Sequence, residues 1–154
     1  MKILMVCLGN ICRSPMAEGI FKDKIKQLKL NWKVDSAGTS SWHQGDKPDK
    51  RAIAEMKRKG IDISSQRSRP FLPSDFSEFQ KIFVMDENNK RDLLEYAQTD
   101  RQAKKIELLL TYAGHDMLSV PDPYYGTEKD FEATYTLLND ACDKVIDRLI
   151  KENA

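Results

Sequence analysis

Apolar positions along this chain fall into two patterns, short unbroken runs and longer stretches with helical spacing. Ile3 to Cys7 is an unbroken apolar run, as expected of a parallel strand covered on both faces. A polar turn follows, and Ser14-Pro15 is read as a helix start, with serine as the N-cap and proline at the first helical position. Ala17, Ile20, Phe21, Ile25 and Leu28 then recur at helical spacing. Trp32 to Ala37 predicts a second strand, ended by Gly38. Ala52, Ile53 and Met56 mark a short helix that Gly60 caps. Lys81 to Met85 predicts a third strand, followed by a charged helix whose buried side is Leu93, Leu94 and Ala97. Ile106 to Leu110 predicts the fourth. The strongest periodicity is the last: Phe131, Tyr135, Leu138, Cys142, Val145 and Leu149 are spaced 4-3-4-3-4, one continuous face of a helix.

Strands alternating with helices predict an α/β sandwich on a parallel sheet. No repeat, low-complexity tract or long linker divides the chain, so residues 1–154 are read as one domain. In open parallel sheets, ligands bind beyond the carboxyl ends of the strands where strand order reverses, which in flavodoxin-like order lies beside the first strand. Cys7 ends that strand.

Composition narrows the function classes. Hydrophobic residues make up 40% and charged residues 32%, a globular balance. With 25 basic and 24 acidic residues the net charge is +1, which argues against a general binder of nucleic acid or membrane surfaces. The N-terminal apolar stretch is too short for an export signal or a membrane span. The expected setting is therefore cytoplasmic, with Cys7, Cys12 and Cys142 as reduced thiols. Cys7 and Cys12 form C-x4-C, but no second Cys or His pair stands at zinc spacing, so neither a metal nor another cofactor is expected. Cys142 belongs to the apolar stripe of the last helix. His43 and His115 have no recognisable partner, and the basic groups Lys57-Arg58-Lys59 and Arg67–Arg69 read as solvated surface.

The chemistry concentrates in Cys7-Leu8-Gly9-Asn10-Ile11-Cys12-Arg13-Ser14-Pro15. The segment joins a buried strand to a helix N-terminus, where free amides and the helix dipole favour an anion. Gly9 and Asn10 tolerate positive φ, so the loop can turn successive amides inward. Arg13 offers a planar fork for two phosphate oxygens. Such a field favours a thiolate at Cys7, facing the phosphorus. Ser14 is placed to cap the helix and to hydrogen-bond that thiolate. C-x5-R alone is a weak signal; after a first parallel strand, with Gly, Asn and Ser-Pro in place, it points to a phosphate site.

The segment VCLGNICRSPMAE at 6–18 closely resembles the active-site segment of low-molecular-weight protein tyrosine phosphatases. The resemblance continues through Asp35-Ser36-Ala37-Gly38-Thr39, Met85-Asp86 and Pro121-Asp122-Pro123-Tyr124-Tyr125-Gly126. It implies a flavodoxin-like, phosphotyrosine phosphatase I-like three-layer sandwich with a four-stranded parallel sheet. It also implies two-step, metal-independent hydrolysis of phosphotyrosine proteins or aryl phosphates through a phosphocysteine, by a monomer or weak homodimer. By that resemblance Cys7 is the nucleophile and Asp122 the general acid and then base. The Asp-Pro sequence by itself reads as a turn. Trp42 and Tyr124 with Leu8, and Tyr125 beside them, look like slot walls. Asn10, Ser14, Ser36 and Asp86 look like the supporting network. Cys12 looks like a reversible disulfide partner for Cys7. Many relatives carry His where this chain has Gln66, an amide that keeps a hydrogen bond but does not titrate.

Four other readings compete. An arsenate reductase of this fold needs two further cysteines near the middle of the chain, and residues 61–141 contain none. A non-hydrolytic phosphocysteine carrier needs neither Arg13 nor an acid at 122. A catalytically dead phosphotyrosine-binding module does not need Cys, Arg and Asp together. A Cys–His hydrolase requires a histidine partner for Cys7.

Overall fold

A computed structural model describes residues 1–154. Four parallel strands, β1 (Lys2–Cys7), β2 (Lys33–Gly38), β3 (Lys81–Val84) and β4 (Ile106–Leu108), form one sheet in the order β2-β1-β3-β4. The helices are α1 (Arg13–Gln27), α2 (Lys50–Arg58), α3 (Asp75–Glu78), α4 (Glu87–Leu94), α5 (Asp100–Lys105), α6 (Leu109–Tyr112) and α7 (Glu128–Glu152). No helix is long and apolar enough to cross a membrane.

The unbroken apolar run of β1 reflects burial on both faces. Ile3, Met5 and Cys7 join Phe83 of β3 in the larger core, which Met16, Ile20 and Phe21 of α1 close together with Leu138, Val145 and Leu149 of α7. Leu4 and Val6 turn the other way, with Ile82 and Val84, onto Phe71, Phe76, Phe79 and Leu93. This is the expected three-layer α/β sandwich, with a four-stranded parallel sheet in the middle.

Several local expectations are corrected. Ser14 does not cap α1: Cys12 is the N-cap residue, without a side-chain bond, and Ser14 lies in the first turn with its hydroxyl turned to Cys7. Leu28 is 53% exposed, because Lys29 at φ +57° reverses the chain and Leu30 packs on the core instead. Leu94 is exposed, since a residue adjacent to buried Leu93 lies about 100° around the helix from it. The fourth strand stops at Leu108. Leu109 and Leu110 are buried in α6, and an apolar run of that length fits either element. Short α3 and α5 were not foreseen. Gly60, at φ +81° just past α2, ends that helix as expected.

The order places the reversal point beside β1. The chain leaves β1 for β2 on one side, whereas β3 pairs on the other, so a crevice opens between their carboxyl ends. Cys7 ends β1, and Met85-Asp86 follow β3. The Val120 amide donates to Met85 O at 2.8 Å, which brings residues 120–122 over the same crevice.

Candidate active site

The loop from Leu8 to Cys12 turns its carbonyls away from the crevice. Cys7 O accepts from Thr39 N, Leu8 O from Ser40 N, Gly9 O from Ser68 Oγ, Ile11 O from Asp49 N and Cys12 O from Met16 N. The N–H groups of residues 8–13 have no acceptor within the protein. Six consecutive donors are thus free at the start of α1, where the helix dipole adds positive potential. Asn10 supplies the left-handed turn, at φ +56°, and Gly9 does not. Gly9 meets a different constraint: a Cβ there would lie 3.2 Å from the His43 ring, which would have to give way slightly.

A polar network behind the loop fixes a proton direction. Asn10 Oδ1 accepts from Arg69 N, which identifies the other amide atom as nitrogen. Asn10 Nδ2 then donates both hydrogens, to Ser14 Oγ at 2.8 Å and Ser36 Oγ at 3.0 Å. Ser36 Oγ passes its own hydrogen to buried Glu18 at 2.6 Å. Ser14 Oγ, which accepts from Asn10, lies 3.0 Å from Cys7 Sγ with its own hydrogen available to that sulfur, and Ser14 N–H approaches the same sulfur at 3.4 Å. Ser14 thus presents both its hydroxyl and its amide to one sulfur.

Arg13 is 3% exposed and held from two sides. Its Nη1 donates to Asp86 Oδ2 at 2.7 Å and to Val120 O at 2.9 Å. Burial works against the guanidinium charge. Cys7, Asp86 and Asp122 outweigh it and hold Arg13 above its ordinary pKa. Asp86 also caps α4, so one carboxylate anchors both the helix and the arginine. Asp122 lies between a buried Pro123 and an exposed Pro121, and its Oδ1 accepts from Tyr124 N at 3.1 Å. Its Oδ2 stands 3.6 Å from Arg13 Nη2, and its side chain is 38% exposed.

Cys7, Leu8, Gly9, Ile11, Cys12, Arg13, Trp42, Asp122, Tyr124 and Tyr125 all line one cleft of about 230 Å³. That is below the roughly 300–1,000 Å³ of sites for drug-sized ligands, so it suits a single side-chain-sized group. Asn10, Ser14 and Ser36 stand behind the loop and do not line the cleft. Gln66 keeps one hydrogen bond, from Nε2 to Pro15 O, and its buried Oε1 has no donor.

Three site features escaped the sequence. His43 lines the cleft and pairs with Asp46, and His115 likewise pairs with Asp140, partners the sequence alone does not reveal. Arg69 is not solvated surface: it bridges Asp35 and Asp75 beneath the loop. Arg51 was not singled out, yet it binds the Asp122 segment through the carbonyls of Tyr124 and Gly126. His43 and Asp46 are only three residues apart, but the contacts of His115 with Asp140, Arg69 with Asp35 and Arg51 with Tyr124 and Gly126 join positions far apart in the chain, which no local pattern encodes.

Known proteins repeat the sequence and the architecture together. The family model described as low molecular weight phosphotyrosine protein phosphatase matches residues 2–154. The low molecular weight phosphotyrosine protein phosphatase of Homo sapiens is 45% identical over 136 residues, covering 86% of this chain and 85% of its own. A crystal structure of protein tyrosine phosphatase from Entamoeba histolytica superposes with a TM-score of 0.93 at 40% identity, covering 100% of this chain and 99% of the other. A drosophila arginine phosphatase, DARP, superposes with a TM-score of 0.90 at 35% identity, covering 97% and 98%. Since the match runs through the crevice loops as well as the sheet, the chain belongs to the low molecular weight phosphotyrosine protein phosphatase family.

Proposed function

We propose that residues 1–154 act as one phosphatase domain that hydrolyses phosphotyrosine and small aryl phosphates through a phosphocysteine on Cys7. The observation that carries this reading is the run of free N–H groups at residues 8–13, in the loop that follows Cys7, whose sulfur Ser14 approaches with two further groups. In the first step Cys7 thiolate attacks phosphorus, and the ester oxygen leaves with a proton from Asp122. In the second, Asp122 takes a proton from water, the resulting hydroxide attacks phosphorus, and Cys7 departs as thiolate. Ser14 O–H stabilises that leaving sulfur. The loop amides and Arg13 bind the three outer oxygens in both steps. Trp42, Tyr124 and Leu8 give the slot aromatic and apolar walls, which favour an aryl ester over a short alkyl one.

The test is steady-state hydrolysis of phosphotyrosine, phosphoserine and phosphoarginine in chelator and reductant, by wild type and Arg13→Lys. The expected order puts phosphotyrosine first. Arg13→Lys should lose about 10²–10³-fold in kcat/KM, because a lysine cannot hold Asp86, Val120 O and two phosphate oxygens together. Near-normal kcat/KM in that variant would remove Arg13 as the clamp, and preferred turnover of phosphoarginine would move the substrate class.

The two loop thiols support a redox role. Peroxide converts Cys7 thiolate to sulfenic acid with release of hydroxide, and Cys12 thiolate then displaces hydroxide to close a disulfide. Burial pushes the Cys12 thiol strongly up, and the charges of Asp49, Cys7 and Asp122 add to it. Closure should therefore accelerate about tenfold per pH unit across the neutral range, as the thiolate fraction rises. Peroxide-treated wild type should recover in dithiol, whereas in Cys12→Ser the unprotected Cys7 sulfenic acid should react with further peroxide to the sulfinic acid, with water released, and stay inactive. Stopped-flow rates and mass mapping check both.

A further inference from the structure

We infer that Arg51, clamped by Asp49, is a positioning residue that straps the segment bearing Asp122 to the phosphate loop. The inference rests on the assignment of Asp122 as proton donor. Asp49 N donates to Ile11 O at 2.8 Å, so the residue is pinned to the phosphate loop through its backbone. Its carboxylate receives Arg51 N, Nε and Nη2 at 2.8, 3.1 and 3.0 Å. The far side of the guanidinium donates from Nη2 to Tyr124 O at 2.8 Å and from Nη1 to Gly126 O at 3.1 Å. The same group lies over the Phe131 ring at 4.6 Å, which ties it to the first turn of α7. A continuous path therefore runs from Ile11 through Asp49 and Arg51 to the two carbonyls that bracket Tyr125.

The path matters because little else within the protein holds Asp122 from outside its own segment. Its carboxylate bonds only the nearby Tyr124 N and faces Arg13 at 3.6 Å, beyond hydrogen-bond range. The Pro121–Gly126 segment is mostly exposed, and Val120 and Pro123 are its buried pins. Arg51 adds a charge-assisted bond pair at the other end. Four side-chain donor contacts, from Nε, Nη1 and twice from Nη2, demand the guanidinium fork, and a lysine ammonium cannot span Asp49 and both carbonyls. Burial works against the Asp49 charge. The bonds from Arg51 and the Ala52 amide outweigh it and hold that carboxyl below its usual range, so the clamp persists in mildly acidic assays.

The experiment compares wild type, Arg51→Met, Asp122→Asn and the double variant on aryl phosphates of rising leaving-group pKa, with inhibition by inorganic phosphate measured alongside. Arg51→Met should lower kcat by about 10–100-fold on phosphotyrosine, the scale of a displaced catalytic group, and only a few-fold on the most acidic phenols. The phosphate inhibition constant should stay within about twofold, since the loop amides and Arg13 are untouched. In the Asp122→Asn background the same substitution should cost less than about twofold, because the group it positions is gone. Arg51→Lys, which keeps the charge and serves if Arg51→Met folds poorly, should show an intermediate slope. A loss equal for all leaving groups, weakened phosphate inhibition, or full loss in the double variant would overturn the strap. Failure of wild type to hydrolyse aryl phosphates, or equal slopes in wild type and Asp122→Asn, would instead strike the functional reading beneath it.

Discussion

Cys7→Ser is expected to bind inorganic phosphate with affinity close to wild type and to lose at least about 10⁴-fold in turnover, the scale on which removal of a nucleophile acts. The two halves of this result have separate causes. Phosphate binding belongs to the free amides of residues 8–13 and to Arg13, none of which the substitution touches. Reaction requires an anion at position 7. A serine hydroxyl there receives the same approach from Ser14 Oγ and N, but it does not ionise near neutral pH. Fold should survive, because position 7 is 3% exposed in a core that a smaller side chain still fills. Equilibrium dialysis with phosphate and single-turnover assays on an aryl phosphate read the two halves. Substantial turnover by the serine variant would end the covalent mechanism. Lost phosphate affinity with retained structure would mean that the sulfur itself organises the loop.

How much of this was legible in the sequence follows from the distance between partners. The loop from Cys7 to Ser14 is a local object whose strand, turn and helix signals are adjacent. Fold class was equally open, because β1 and α7 carry strong patterns of their own. The errors arose where tertiary contacts outweighed local preference. Ser14 has the right type for a cap, yet its hydroxyl is drawn to Cys7 by the bond from Asn10. Leu109 and Leu110 extend an apolar run but turn into α6, because both still reach the core from a helix. Arg13 meets Val120 across 107 residues and Arg51 meets Gly126 across 75. A lone arginine at a helix start carries no signal of such a partner. Asp122 was identified only through resemblance, since D-P-Y-Y-G in isolation is a turn. Its carboxylate stands 3.6 Å from Arg13, which supports the role proposed for it.

That role makes the sharper forecast. Asp122→Asn should slow phosphocysteine formation by about 10²–10⁴-fold on phosphotyrosine, the usual range for one general acid. Asn preserves the acceptor for Tyr124 N, so the Asx-type turn and the slot wall should persist. What disappears is the proton. The loss should therefore depend on the leaving group: a tyrosyl oxide needs protonation as the bond breaks, whereas a strongly acidic nitrophenol departs with little help. A plot of single-turnover rate against leaving-group pKa should fall more steeply in the variant than in wild type. Breakdown of the intermediate should slow too, because the same carboxylate accepts the proton of the attacking water. For acidic phenols, whose departure needs little protonation, the second step then lags behind the first, so burst size should grow. Removal of the carboxylate also lifts a negative charge beside Arg13, so inorganic phosphate should bind the variant somewhat more tightly. Parallel slopes with a uniform loss would return Asp122 to the status of a turn residue and assign the proton to another group. Steeper slope, enlarged burst and tighter phosphate together admit only a carboxylate that faces both the ester oxygen and the clamp.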